Sequence, residues 1–215
     1  METAKQTLRT LRTFRGLRMV RMVVVVVLVG VMGVGCRGKG SITLMDRGES
    51  EYVICVPDTG NHQMMRAADL LQSYLKKIGG AEIPVKAGLT DIPAKAIVIN
   101  PDVRTGYEDA FSIVTDTKQL IITGGTHKGC IYGVIDLLEK QFGCRMYAPG
   151  FEVISKNKTI RLPQLDIHDK PVNEYRNVYG RFTEDENYRD WQRIDVVQDV
   201  FADGYYVHTM NRLVP

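Results

Sequence analysis

The sequence predicts an α/β fold, with strands and helices arranged as a two-layer sandwich over residues 50–163. Two observations lead to this prediction. Short runs of β-branched residues alternate with two helical patterns along this region. Each helical pattern keeps its apolar residues on one face, and such a face is buried when the helix packs on a sheet.

The first strand and the first helix follow directly from this pattern. Residues 51–57, EYVICVP, are β-branched and end at a proline, which predicts a buried strand. Beyond them, a 3.6-residue apolar period predicts a helix with Asn61 as its cap and Gly79 as its left-handed exit. Its predicted buried face consists of Met64, Ala67, Ala68, Leu71, Tyr74, Leu75 and Ile78.

Two hairpins are predicted among the remaining strand-like runs, which include EIPVKAG, KAIVIN and FSIVTDTKQLIITGG. In the last run, 111–115 and 119–123 flank the residues DTK, which favour a tight turn. The stretch 151–163 predicts a second hairpin with its turn at Lys156 and Asn157.

A second helix is predicted to begin near Thr126 and to end at Gly143. Its apolar residues again recur with the helical period, so this helix also needs a sheet beneath it. The predicted buried face consists of Ile131, Val134, Ile135, Leu138 and Phe142.

The turn before this helix, GGTHKG at 124–129, could be a phosphate-binding loop or a corner of the scaffold. A dinucleotide loop needs GxGxxG, and a P-loop needs GxxxxGK followed by Ser or Thr. Neither spacing is present, because Lys128 precedes its glycine. We therefore interpret the paired glycines as a close-packed corner. His127 could face a ligand from this turn, although a solvated loop position is the preferred interpretation.

The first 35 residues differ from the rest of the chain, because six bases accompany a single acid there. An apolar run of thirteen residues, 22–34, follows the bases. Since a membrane-spanning helix needs about 20 apolar residues, the pattern predicts a signal peptide. The next residues, GVGC at 33–36, resemble a bacterial lipobox, which predicts lipidation of Cys36 and a membrane-anchored lipoprotein at the periplasmic or cell surface. A plain signal peptide and an uncleaved anchor are the alternatives.

Composition gives no indication of a nucleic-acid partner. The chain has 28 Lys and Arg against 25 Asp and Glu, but without the first 35 residues the balance is 22 bases to 24 acids. No pattern indicates a cofactor, and the cysteines show no zinc spacing. Cys130 and Cys144 flank the second helix, roughly 20 Å apart, so they cannot pair with each other. A bridge from Cys55 to either stays open, with buried free thiols preferred.

The segment 120–150, LIITGGTHKGCIYGVIDLLEKQFGCRMYAPG, resembles the end of the small α/β domain that precedes the catalytic barrel in some glycoside hydrolases. These are the alpha-glucuronidases, the hexosaminidases and a related group of uncharacterised secreted Bacteroides-type proteins. Their pattern is a strand, a glycine turn, a GxxYGVxxLLE helix and then GCRWYAPG, in which Met146 replaces the tryptophan here. The matching residues are Gly129, Tyr132, Gly133, Leu137, Leu138, Glu139, Gly143, Cys144, Arg145, Tyr147, Pro149 and Gly150.

The resemblance implies a sandwich like the second domain of hexosaminidases, followed by the start of a (β/α)8 barrel. Pro163 and Pro171 bracket a polar stretch that is typical of a connection between the two units. Together with the leader, this gives the predicted organisation: signal peptide 1–35, linker 36–49, α/β accessory domain 50–163, linker 164–170 and incomplete barrel 171–215.

The resemblance also implies hydrolysis of a glycosidic bond in a polysaccharide or glycan, with two carboxylates on loops of later barrel strands. A complete barrel takes about 250 residues, whereas 171–215 provides 45. We therefore expect part of a larger exported enzyme, without activity of its own and with its catalytic residues unassigned. The alternative is a non-catalytic cell-surface module that binds glycan or supports an assembly. The oligomeric state is not predicted.

Two sugar contacts are implied by the same resemblance. In the hexosaminidases an arginine on the first barrel strand binds a substrate hydroxyl, and Arg176 in NEYRNVYG is similar to it. Its planar fork of donors suits vicinal hydroxyls or a uronate carboxylate, although pairing with an acid such as Glu174 is equally compatible. His208 lies in YVHTMNRLVP, which is similar to a His-Thr segment of the uncharacterised group.

Aromatic and acidic residues near this region have two interpretations. Trp191, Tyr205 and Tyr206 could stack on sugar rings or belong to a core. The acids at 184–186 and Asp190 are interpreted as a solvated loop and not as a catalytic pair, because no spacing places two of them across a bond.

Overall fold

The computed structural model describes residues 41–58, 62–101, 109–125, 128–173, 175–178 and 180–196. A short 3-10 turn, Arg181–Glu184, precedes the last helix. The helices are α1 His62–Gly79, α2 Gly129–Lys140 and α3 Glu186–Gln192. The strands are β1 Ile42–Met45, β2 Val53–Val56, β3 Val85–Ala87, β4 Ala96–Pro101, β5 Phe111–Asp116, β6 Gln119–Gly124, β7 Arg145–Ala148, β8 Phe151–Val153, β9 Ile160–Leu162 and β10 Asp166–Asp169.

Six strands form one mixed sheet in the order β10-β5-β6-β4-β2-β3. The strands β3, β2, β4 and β6 are parallel, whereas β5 runs antiparallel to both of its neighbours. Ile97, which pairs with Ile54 and Leu120, lies on the face that packs against α1 and α2. On the opposite face, Cys55 and Val98 belong to a separate small cluster. The predicted α/β sandwich is therefore present.

Helix α1 buries all seven residues predicted for its inner face. The prediction that Gly79 forms the left-handed exit is wrong by one residue, because Gly79 is helical and Gly80 takes the positive φ of 101°. A Cβ atom on Gly79 would overlap the side chain of Met45, so this end of α1 packs directly against β1. Asn61, the predicted cap, lies outside the described residues.

Helix α2 buries Ile131, Val134, Ile135 and Leu138, and Phe142 packs partly buried against the same core. The last helical residue is Lys140, three before the predicted end. Gly143 has a left-handed conformation, with φ 67°, which is typical of a glycine that follows a helix.

The glycine-rich turn before α2 is closely packed. A Cβ atom on Gly124 would lie less than 3 Å from the backbone nitrogen of Cys130, and one on Gly129 would lie less than 3 Å from the carbonyl oxygen of Ala110. The N–H of Gly125 donates to that same carbonyl at 2.8 Å. These contacts agree with a scaffold corner, in which strand and helix approach closely. The two residues 126 and 127 lie outside the described part.

One of the two predicted hairpins is present. Strands β5 and β6 pair in register, for example Ile113 with Ile122. The hairpin predicted for 151–163 is wrong, because β8 pairs with β7 and β9 pairs with β1. The reason is that residues 154–159 do not turn back on themselves: the N–H of Asn157 donates to Ile78 at the end of α1, at 2.9 Å.

Strands also lie within both segments that were predicted to be linkers. In 36–49, β1 buries Ile42 and Leu44 and pairs with β9. In 164–170, β10 pairs with β5 over four residues and forms an edge of the large sheet. Both strands are too short for their alternation to show in the sequence. The polar residues of β10 suit an edge strand, where charged side chains hinder pairing with another chain.

The cysteines Cys55, Cys130 and Cys144 are free and buried, as preferred from the sequence. Burial raises the pKa of the Cys130 thiol to about 12 and that of Cys144 to about 11. These thiols are therefore packing groups at neutral pH and not nucleophiles.

No helix in the described part is long and apolar enough to cross a membrane. The predicted signal peptide, 1–35, and the predicted lipidation site lie outside the described residues. Their assignment stays a prediction.

Candidate functional site

Of the predicted sugar contacts, the structure describes Arg176 and Trp191. Trp191 is 1% exposed, and its ring centroid lies 5.2 Å from that of Tyr74. A buried indole cannot stack on a sugar ring, so Trp191 belongs to the core. The other residues named as contacts or partners lie outside the described residues: Cys36, Glu174, Tyr205, Tyr206 and His208.

Arg176 lies at the centre of a polar network. Its Nη2 donates to the carboxylate of Asp109, and its Nε donates to the carbonyl oxygen of Arg193 at 2.9 Å. Its backbone N–H donates to Oδ2 of Asp195 at 2.7 Å, while the guanidinium carbon lies 5.6 Å from the ring centroid of Tyr132. Arg176 therefore joins the segment around α3 to the start of β5 and to α2.

Arg193 extends this network. It follows α3 in a left-handed conformation, with φ 55°, which is uncommon for a residue with a side chain. Its Nη2 donates to Oε2 of Glu139 at 2.8 Å and lies 3.9 Å from Oδ1 of Asp136. Both acids belong to α2, so two arginines tie the segment around α3 to the sandwich.

An open groove of about 610 Å³ borders Arg176. Its lining includes Asn177, Phe182 and Tyr188. The ring of Phe182 is exposed and contacts the edge of Tyr188, with 5.8 Å between the centroids. The side chain of Arg176 is 23% exposed, so part of the guanidinium faces this groove.

A second, smaller cleft of about 310 Å³ lies between α1, α3 and the β7–β8 hairpin. Helix α1 contributes Arg66, Ser73 and Lys77 to one wall. Asp190 of α3 and Glu152 of β8 contribute carboxylates from the other elements. The buried rings of Tyr74 and Trp191 also line this cleft.

At one end of this cleft, Arg66 joins α1 to α3. It pairs with Glu186 and, at 2.5 Å, with Oδ2 of Asp190. Oδ1 of Asp190 is buried and lies 3.7 Å from the ammonium of Lys128. Burial raises the pKa of Asp190, and the charges of Arg66 and Lys128 oppose that shift. The carboxylate is thus costly to bury and depends on its cations.

At the other end, Lys77 joins α1 to β8. Its Nζ donates to Oε1 of Glu152 at 2.7 Å, and the hydroxyl of Tyr74 donates to Oε2 of the same carboxylate. Burial raises the pKa of Glu152, but the hydrogen bonds from Lys77 and Tyr74 outweigh it, so the net pKa is lowered. Glu152 is therefore a stable carboxylate at neutral pH.

The prediction that the acids at 184–186 and Asp190 form a solvated loop is wrong for Asp190, which is buried, whereas Glu184 and Glu186 are exposed as predicted. Asp185 caps α3 by accepting from the N–H of Tyr188 at 2.7 Å, and Glu186 pairs with Arg66. Asp190 is 3% exposed. Glu186 begins α3, so its exposed side chain lies on a helix and not in a loop.

Sequence reasoning missed the residues of the smaller cleft. One signal was present, because Arg66, Ser73 and Lys77 recur with helical spacing beside the predicted buried face of α1. Their partners on α3 and β8 lie far away in sequence and carry no comparable signal. Within the described ranges, no group of three or more His, Cys, Asp or Glu side chains could hold a metal ion.

No family model matches the chain, and no curated protein matches it. Several solved structures are similar to it. The β-hexosaminidase of Streptomyces plicatus is 16% identical with a TM-score of 0.45, over 64% of this chain and 25% of that protein. The family GH20 exo-β-N-acetylglucosaminidase of Vibrio harveyi, solved with N-acetylglucosamine, is 17% identical with a TM-score of 0.42, over 65% of this chain and 18% of that protein.

A family GH115 4-O-methyl-α-glucuronidase with specificity for decorated arabinogalactans is 17% identical with a TM-score of 0.44. The match covers 63% of this chain and 19% of that protein. All three similar structures are thus glycoside hydrolases, and the chain spans between 18 and 25% of their lengths. The more specific resemblance to secreted Bacteroides-type proteins stays a prediction.

Proposed function

We propose that this chain contains the accessory α/β domain of an exported glycoside hydrolase of the alpha-glucuronidase or hexosaminidase type. In this proposal, residues 171–215 are the first part of its catalytic barrel. The enzyme acts on a polysaccharide or other glycan, and the chain by itself does not turn over substrate.

The observation that carries this proposal is the sequence pattern between residues 120 and 150. Its glycines occupy close-packed or left-handed positions: a Cβ atom on Gly129 would overlap main-chain atoms, one on Gly133 would press on the side chain of Ile122, and Gly143 and Gly150 have positive φ. Cys144 is fully buried. The matching residues thus specify a scaffold and not a set of reactive groups, which supports an accessory role for this domain.

The lack of turnover is supported by the contacts of the carboxylates in the smaller cleft. Asp190 is paired with Arg66, and Glu152 is paired with Lys77. Glycosidic hydrolysis uses two carboxyl groups that flank the scissile bond, one to give a proton and one to act as base or nucleophile. Carboxylates that already hold a cation across the cleft are poorly suited to either role.

Arg176 and His208 are the proposed sugar contacts. The Nη1 of Arg176 makes a long hydrogen bond of 3.4 Å to the carbonyl oxygen of Asn173, which leaves donors on the groove side. A planar pair of donors suits two vicinal hydroxyls or a carboxylate. The proposal for His208 rests on the sequence resemblance.

We expect the purified protein to show no hydrolysis of aryl glycosides or aldouronic acids above the buffer blank. Release of the aryl group or of reducing ends measures this, with a complete hexosaminidase and a complete alpha-glucuronidase as positive controls. Turnover by the 215-residue chain would contradict the proposed inactivity.

The reading frame downstream of Pro215 tests whether the chain is part of a larger enzyme. A continuing barrel with inward carboxylates supports that proposal, and a stop codon opposes it.

The alternative function is a non-catalytic surface module that binds glycan. The observation that favours it is the polar cleft itself, in which cations neutralise the carboxylates of Asp190 and Glu152. A glycan array probed with the purified protein distinguishes the cases. Specific binding together with a stop codon after Pro215 would favour the module, and no binding to any glycan would oppose it.

We further propose that the chain is exported and anchored through an acylated Cys36. We expect the N-terminal peptide of membrane-extracted protein to begin at Cys36 and to carry the mass of the acyl groups. A Cys36→Ser variant is the matched control and should leave the membrane fraction. An unmodified Cys36 in the membrane-extracted protein contradicts the lipid anchor.

A further inference from the structure

The smaller cleft, between α1, α3 and the β7–β8 hairpin, has a polar rim that its ion pairs do not use. Asp69 and Ser73 on α1 and Asn187 on α3 line this cleft and are exposed. Within the part of the chain that the structure describes, no hydrogen bond or ion pair engages these three side chains. The rim therefore presents a carboxylate, a hydroxyl and an amide to solvent.

The two ends of the cleft are closed by ion pairs that cross it. Arg66 reaches Asp190 on α3, and Lys77 reaches Glu152 on β8. Both cations are thus neutralised by carboxylates. Asp69 is left as the charge without a partner among the described residues, so the cleft disfavours an anionic ligand.

The remaining lining suits a ligand with both polar and apolar surface. Leu70 and Met146 are partly buried lining residues beside the polar rim. The hydroxyls of a sugar ring can donate hydrogen bonds to a carboxylate, and they can donate to or accept from a hydroxyl or an amide. The C–H groups of the ring can pack against apolar side chains. The volume of about 310 Å³ lies at the lower end of small-molecule pockets, which matches one sugar residue better than a long oligosaccharide.

We propose that this cleft binds a single neutral sugar residue of a glycan, at a site separate from Arg176. The choice of a sugar rests on the proposed function, whereas the preference for an uncharged ligand rests on the charges of the cleft alone. Asp69 and Ser73 are the binding residues, and Asn187 closes the site from α3. A uronic acid is disfavoured by repulsion from Asp69.

The protein carries its own reporter for this site, because Trp191 is its single tryptophan and lines the cleft. The probes are D-galactose, D-mannose, L-rhamnose, N-acetyl-D-glucosamine and D-glucuronic acid, each titrated to high millimolar concentration. We expect a saturable change in Trp191 emission with at least one neutral sugar and a clearly weaker response to glucuronic acid. Isothermal titration calorimetry of the protein with the sugar that gives this response checks the apparent Kd.

The variant Asp69→Asn/Ser73→Ala should raise that Kd by about tenfold, since it weakens one hydrogen bond and removes another. Both residues are exposed on α1, so the fold should be kept, and circular dichroism checks this. The control is Asp91→Asn, an exposed aspartate that does not line the cleft.

The outcomes separate this inference from the proposed function. Sugar binding that persists unchanged in the double variant, or tighter binding of glucuronic acid than of every neutral sugar, would overturn the cleft assignment and leave the proposed enzyme standing. The absence of any response to the neutral sugars would overturn it as well. A Kd raised in the double variant and unchanged in Asp91→Asn supports it, whatever the downstream reading frame shows.

Discussion

Replacing Gly129 with alanine is expected to destabilise the protein by about 3 kcal/mol or more, at the upper end of the range for overpacked sites. The new Cβ atom would lie less than 3 Å from the carbonyl oxygen of Ala110 and from the backbone of Gly124. Both obstacles are main-chain atoms of neighbouring segments, so relief requires α2 to move away from the sheet. The loss should appear as a lower midpoint in urea unfolding, followed by Trp191 emission.

The matched control is Gly133→Ala, one turn further along α2. Its Cβ atom would come within 3 Å of one side-chain atom, the Cγ2 methyl of the buried Ile122 at 2.8 Å. Alanine favours a helix over glycine by about 1 kcal/mol, which offsets part of this overlap, so we expect a smaller loss of stability than for Gly129→Ala. Equal stability of Gly129→Ala and the wild-type protein would show that the glycine turn is not a close-packed corner.

The parts of the fold that the sequence predicted are those with a local periodic signal. The inner faces of α1 and α2 repeat every three to four residues, and β5 and β6 are joined by a two-residue turn at Thr117 and Lys118. In each case the residues that decide the structure are near neighbours in the chain. Such patterns predict the structure well because burial of the apolar face stabilises a helix more than the helix propensities of its individual residues do.

The errors concern pairings between distant segments. Strand β1 pairs with β9 across more than a hundred residues, as in Ile42 with Leu162. Neither strand is longer than four residues, so their alternation is too short to distinguish from a linker or a hairpin arm. The same applies to β10, which has one apolar residue, Ile167, among its four.

In the candidate site, too, residues with a local sequence signal were predicted, and contacts between distant segments were not. Arg176 was named from a local resemblance, but its partner Asp109 lies 67 residues away. Arg66 and Asp190 are separated by 124 residues, and only the packing of α3 onto α1 brings them together. A polar stretch of sequence predicts that its acids are solvated. Asp190 is nevertheless buried, because the neighbouring Trp191 packs in the core and holds α3 against it.

Replacing Arg66 with alanine is expected to cost about 3 kcal/mol at neutral pH, because it removes the nearer of the two cations that pair with the buried carboxylate of Asp190. The remaining ammonium, that of Lys128, is 3.7 Å from Oδ1 of Asp190. Glu186 also loses its partner, but its side chain is 55% exposed and is rehydrated at little cost. The destabilisation therefore comes from Asp190.

This loss should shrink as the pH falls. Burial already raises the pKa of Asp190 above 3.8, and removal of the opposing charge of Arg66 raises it further. A carboxyl group with a raised pKa in the folded state favours folding when it is protonated, and this contribution disappears as the pH rises through the folded-state pKa. The Arg66→Ala variant is thus least stable, relative to the wild-type protein, above that pKa.

Urea unfolding at pH 7.5 and at pH 5, followed by Trp191 emission, measures both the loss of stability in Arg66→Ala and its decrease at lower pH. The matched control is Lys76→Ala on the same helix, because Lys76 pairs with Glu82 and both side chains are more than half exposed. An exposed pair contributes little, so its removal should change stability slightly and to the same extent at both pH values. If Arg66→Ala loses no more than Lys76→Ala, or loses as much at pH 5 as at pH 7.5, then Asp190 is hydrated in solution. In that case α3 would not be held against α1 through a buried ion pair.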